Sequence, residues 1–232
     1  MGLHSVIIGL EVEEERLVIL GMNTAGRTFR WLVFAAGLMI MSLGVSLMIR
    51  AQLGSAPWDV LHIGLMQQFG LTVGTWTVIM GFLLLAVSTV LTKTLPQMGA
   101  WLNMLLVGAF VDMFLILIPA ADILFVQSLM LLAGILIMGF GIGVYISPRC
   151  GAGPRDSVML ALSEKTGATV ARVRIYMEVL VLAAGWLLGG PVFIGTILFS
   201  LTIGHVTGFS LRLCSTWMDR FMERGMRLEN IN

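Results

Sequence analysis

Charge is what this sequence has least of. Only 27 of its 232 residues are Lys, Arg, Asp or Glu, 12% of the chain, whereas 58% are hydrophobic. Soluble globular chains carry about 25% charged residues, so a soluble enzyme, a nucleic-acid binder and a disordered tail are all excluded. The mean hydropathy of +0.96 calls for the hydrocarbon of a bilayer as solvent. Cysteine is scarce too: Cys150 and Cys214 form neither a CxxC nor a metal-ligand spacing, and both read as reduced, structural residues. HExxH, GxSxG and Walker A motifs are missing, so no enzyme is expected. With methionines that follow the apolar faces, and only a His62, Met66 spacing to suggest a soft metal, no cofactor or metal is expected either.

What the chain does have is long apolar runs. Six of them approach the roughly 20 residues that cross a bilayer: Trp31 to Ile49, Val73 to Thr92, Gly99 to Pro119, Val126 to Ile146, Ile175 to Gly189 with its start drawn back towards Val170, and Val192 to Leu211. Two shorter segments, Pro57 to Phe69 and Pro154 to Thr166, carry Pro at the first helical position and Asp two residues later, a helix-start signature. Each would give about 20 Å of helix, too short for a ~30 Å hydrocarbon core, and reads as a re-entrant or interfacial helix. The predicted fold is therefore all-α and polytopic, with six transmembrane helices and two short helices.

The basic residues orient it. With six spans and both termini in the cytoplasm, 13 of the 14 Lys and Arg lie inside and only Arg50 lies outside, as the positive-inside rule requires. Eight spans would move Lys93 and the basic loop from Arg149 to Arg174 outside. Residues 1–30 read as a cytoplasmic tail, because Val6 to Leu10 is too short for a signal peptide and acidic residues follow it. Met22 precedes a natural short N-terminus, and the mass of the native N-terminus decides between it and Met1. Residues 213–232 read as a cytoplasmic tail with an amphipathic helix from Thr216 at the inner surface.

The chain is also duplicated. An offset of 97 aligns Ala36 to Val73 with Ala133 to Val170, with 13 of 38 positions identical. Gly54, Pro57 and Asp59 thereby match Gly151, Pro154 and Asp156. In the third span of each half the offset becomes 96, pairing Gly99 with Gly195 and Gly108 with Gly204. Three spans per half make residues 31–119 and 126–212 an inverted 3+3 repeat, an arrangement recurrent in secondary transporters.

The segments Leu53-Gly-Ser-Ala-Pro-Trp-Asp-Val-Leu61, Gly70-Leu-Thr-Val-Gly-Thr75, Gly151-Ala-Gly-Pro-Arg-Asp-Ser157 and Gly189-Gly-Pro-Val-Phe-Ile-Gly-Thr196 resemble the YczE branch of the YczE/YyaS/YitT family of bacterial membrane proteins, over about residues 31 to 212. The resemblance implies a bacterial cytoplasmic (inner) membrane protein and supplies neither a substrate nor catalytic residues.

Asp59 and Asp156 fall at the third position of the short helices, facing free N–H groups and the positive helix end. They cap those helices, or they bind a proton, a cation or a cationic substrate group. A helix start otherwise favours an anion, which Arg155 could serve, with Trp58 at the matching position of the first half. Asp112, Glu178 and His205 are the ionisable groups inside spans and are expected to face the bundle interior. Arg174 stands one turn before Glu178, so a local ion pair is the simpler reading there, as is a backbone carbonyl for His205. The regular glycines read as close helix packing. Two functions compete. One is a small secondary transporter or permease whose small-molecule or ion substrate lies between the repeats. The other is a non-transporting assembly factor or regulator that docks partners through the basic loop and the C-terminal tail. The bilayer is the one partner implied by composition, and six short spans can act alone or as a homodimer.

Overall fold

The computed structural model describes residues 24–229, with side chains over 26–221; the reading of residues 1–23, Met22 included, lies outside the described residues. The described chain is a helical polytopic membrane protein of eight helices: α1 Thr24–Ala51, α2 Pro57–Phe69, α3 Val73–Thr92, α4 Met98–Leu117, α5 Leu124–Ile146, α6 Pro154–Thr166, α7 Val170–Leu187 and α8 Ile194–Glu229. Five of them, α1, α3, α4, α5 and α8, are long and apolar enough to cross a membrane. α7 is a full 18 residues, and Arg172, Arg174 and Glu178 on it are what set it apart from those five. Two boundaries differ most from the sequence reading. α1 begins seven residues before Trp31, and the helix expected from Thr216 is the unbroken continuation of α8.

Proline and glycine bracket both short helices for local reasons. Pro57 and Pro154 occupy the first turn, where no intrahelical N–H bond is lost. Gly54 and Gly151 before them have φ of +102° and +135°, and Gly70 and Gly167 after them +74° and +69°. Those angles are costly for residues with a Cβ, which accounts for glycine at both members of each duplicated pair.

The core is the crossing of α1 and α5. Phe34, Leu38, Met41, Val45 and Met48 of α1 pack on Leu131, Ile135 and Met138 of α5, with Phe199 and Ile203 of α8 beside them. Glycine lets the backbones touch: a Cβ on Gly44 would lie 2.4 Å from the Met138 N, and one on Gly141 2.3 Å from the Met41 N. α4 packs against α1 as α8 packs against α5, and each short helix packs on the other half, α2 on α7 and α6 on α3. Large side chains such as Leu32, Phe82, Val90, Ile116, Leu124 and Leu187 are exposed around the outside. That much apolar surface suits acyl chains rather than water.

The two duplicated segments differ in how their last two helices pack. α3 packs along α4, whereas α7 and α8 stand apart. A Cβ on Gly74 of α3 would lie 2.1 Å from the Gly108 carbonyl of α4. Asp112 closes this seam, accepting hydrogen bonds from the Gly74 N–H at 2.8 Å and from the Thr72 hydroxyl. At the equivalent places Ala171 is exposed, and none of the described residues comes within 4 Å of a Cβ on Gly204 or Gly208.

Candidate functional site

The first turns of α2 and α6 line a common cavity of about 130 Å³ in the gap between α7 and α8, contributing Ala56, Pro57, Trp58, Pro154, Arg155 and Asp156. A smaller cavity of about 50 Å³ adjoins it between α2, α3 and α4 and is lined by Asp59, His62 and Thr77. Met41, Trp58, Asn103, Pro154 and Arg155 border both. Two helix starts directed at one space place positive partial charge there.

The polar groups differ in how they are satisfied. The Arg155 guanidinium lies 5.4 Å from the Trp58 ring centre, within cation–π range. Asp156 accepts from the Tyr145 hydroxyl at 3.5 Å. Arg174 donates to Glu178 at 3.0 Å, one turn apart on α7, and both line the larger cavity. Asp59 is 7% exposed, and its Oδ2 is buried without a hydrogen-bond partner among the described residues. Thr207 Oγ1, on the α8 wall of the larger cavity, is likewise unpartnered. Unpartnered buried oxygens are expensive, and these two border the cavities.

Of the residues singled out from the sequence, Trp58, Asp59, Arg155, Asp156 and Glu178 line these two adjoining cavities. Asp112 does not; it is engaged at the α3/α4 seam. His205 is exposed, on a face away from both cavities, with Nδ1 3.3 Å from the Leu201 carbonyl. Gly54 and Gly151 shape the turns into the short helices. Asn103, Tyr145 and Thr207 were not anticipated. Asn103 is buried beside Gly153, and an amide in the middle of an apolar span was the available signal. Tyr145 and Thr207 gave none, because only the fold directs them inward.

Outside the site, buried Arg30 donates to the Pro148 carbonyl at 2.7 Å and to the Arg149 carbonyl at 3.2 Å, tying α1 to the turn before α6. In that turn burial pushes the Cys150 thiol up, with Arg30 acting against it.

A family of unknown function, DUF6198, matches residues 28–212. An uncharacterized membrane protein of Bacillus subtilis, YczE, is 44% identical over 78% of this chain and 85% of its own. An uncharacterized protein of Haemophilus influenzae is 33% identical over 81% of this chain and 84% of its own. YyaS of Bacillus subtilis is 29% identical over 73% and 86%. No solved structure matches the chain.

Proposed function

The chain belongs to the family of unknown function DUF6198, and from that premise and the geometry of the cavity we propose that it is a small secondary transporter or permease of the bacterial inner membrane. It works by alternating access between two inverted repeats and leaves its cargo chemically unchanged. The observation that carries this reading is the unequal closure of equivalent seams: Gly74 against Gly108 with Asp112 latched across them, and Gly204 and Gly208 with nothing opposite. A carrier whose halves exchange conformations is expected to be shut at one end and open at the other. In the orientation favoured by the basic residues, the closed seam is external and the cavity opens to the cytoplasm.

Topology is tested with single cysteines replacing exposed Gln52 and Ala152, in a background lacking Cys150 and Cys214. A membrane-impermeant maleimide added to intact cells is expected to label position 52 and not 152. Labelling at both means eight spans and removes the inverted repeat.

Function is tested by uptake of a labelled metabolite mixture into vesicles containing the purified protein. Asp59→Asn and Asp156→Asn are each expected to lower uptake by about tenfold or more at unchanged protein content, as expected for ionisable groups at membrane depth that mark a transport path. Full uptake by both variants removes these carboxylates from the mechanism. Full uptake by the variants together with failure on deleting residues 213–232 points instead to a docking role for the tail.

A further inference from the structure

Arg155 is the one charged side chain that borders both cavities. Among the described residues it makes no ion pair or hydrogen bond, and its contact is with the Trp58 ring. The other charged groups of the larger cavity are engaged, Arg174 with Glu178 and Asp156 with Tyr145. An uncommitted guanidinium between two helix starts fits an anion, and a planar carboxylate fits its donors best. Much of the remaining wall is apolar, with Met138, Ile142, Met177, Phe199 and Ile203 facing the space. On the far side of Arg155 is Asp59, with an oxygen buried and unpartnered.

We propose that the cavity binds a small amphiphilic monocarboxylate, held by Arg155 and the first turns of α2 and α6, and that Asp59 takes up one proton as the anion binds. The groups facing Asp59 make this linkage specific. They are His62 on its own helix, Arg155 from α6, Thr77 from α3 and Asn103 from α4. α1 presents Met41 and Val45, and α7 meets α2 through Gly185, so neither brings a titratable group. Arg155 is thus the cation that favours an ionised Asp59. A carboxylate bound to Arg155 offsets that charge and leaves Asp59 a carboxylate in a buried position, where the neutral acid is the cheaper form. One proton from solvent then joins Asp59 for each anion bound. The site's net charge is unchanged, and movement of the pair across a membrane would be electroneutral.

Binding is measured without transport, on the full chain in detergent near pH 8, where Asp59 is mostly ionised before the anion arrives, by calorimetry in two buffers of different ionisation enthalpy. The probe is 4-methyl-2-oxopentanoate, an anion at that pH with a branched apolar body; 3-methylbutylammonium is the cation of similar shape. The anion is expected to bind with uptake of about one proton, and the cation not to bind. Arg155→Gln is expected to weaken anion binding by about tenfold or more and Arg155→Lys by less. Asp59→Asn is expected to bind the anion with no proton uptake. Where Arg155→Gln does not fold, Arg155→Lys and Asp59→Asn carry the test. No saturable anion binding, binding of the ammonium instead, equal affinity in the Arg155 variants, or proton uptake that survives Asp59→Asn each overturns the proposal. It rests on the transporter reading only for the purpose of binding, and the two fail separately. An anion bound with its proton but not carried into vesicles leaves this inference standing and removes transport. Uptake of another solute class that ignores Arg155 does the reverse.

Discussion

Leucine at Gly204 is expected to leave the protein folded and stop its transport. The position has open space around it, with nothing within 4 Å of an added Cβ, so the folded state loses no contact. Its stability should stay within about 0.5 kcal/mol of the parent, as for substitutions away from packed or hydrogen-bonded features. The equivalent position in the other half is Gly108, where a Cβ would meet the Gly74 carbonyl at 2.6 Å. If the halves exchange conformations, Gly204 must close on Ala171 as Gly108 closes on Gly74, and a leucine there holds α7 and α8 apart. Vesicle uptake should then fall by about a hundredfold, a barrier of roughly 3 kcal/mol, with normal membrane level and heat stability. Leucine at Gly74 should act in the opposite sense. Its Cβ would lie 2.1 Å from the Gly108 carbonyl oxygen and 2.5 Å from the Asp112 carboxyl carbon, so it cannot share the seam with them and the closed end opens. A cysteine replacing His62, buried on the smaller cavity, should then react with an impermeant maleimide from outside the cell. Uptake by Gly204→Leu at the parental rate would remove the exchange of seams.

This asymmetry was invisible in the sequence, and the reason is physical. Gly108 and Gly204 are the same letter at matching places, and on the proposed reading one sequence serves both conformations. What distinguishes them in the structure is tertiary packing, and the proposed exchange requires the two packings to lie close in energy. Local chemistry was legible. Pro57 and Pro154 start helices because proline suits the first turn, and the duplicated glycines mark positive-φ turns. Asp59, Arg155 and Asp156 reach the site because the signal that drew attention to them, a helix start inside an apolar protein, is the feature that positions them. Asp112 and His205 carried only the signal of an ionisable group in a span. Helical phase then sent one to the seam and the other to an exposed face. The exchange of partners, α2 onto α7 and α6 onto α3, has no local signature, since the glycines and alanines that permit it suit any close helix contact.

Leucine at Gly44 should have the contrary effect to leucine at Gly204 and prevent the protein from assembling. Here the obstacle is backbone on the facing helix: a Cβ would lie 2.4 Å from the Met138 N and 2.6 Å from the Gly134 carbonyl oxygen. Overpacking against side chains costs about 1–3 kcal/mol because the neighbours rotate aside, but peptide groups inside α5 cannot rotate without losing their helical bonds. The remaining response is for α1 and α5 to move apart. In a membrane no hydrophobic force opposes that movement, since the helices are held by close contact itself. The separation would reach Gly37, Gly134 and Gly141, which rest on the same crossing, and would draw α4 and α8 away from the core with it. The expected loss is on the order of 3–5 kcal/mol, a large share of the 5–15 kcal/mol available to a folded domain. Gly44→Ala, whose single methyl already intrudes on that backbone, should fall between parent and leucine. The measurement is the fraction of each variant that stays monodisperse in detergent after graded heating, with membrane level as the readout in cells. A Gly44→Leu protein as abundant and as heat-stable as the parent would mean that α1 and α5 do not meet at this glycine, and both cavities, which share Met41 on the same face of α1, would have to be redrawn.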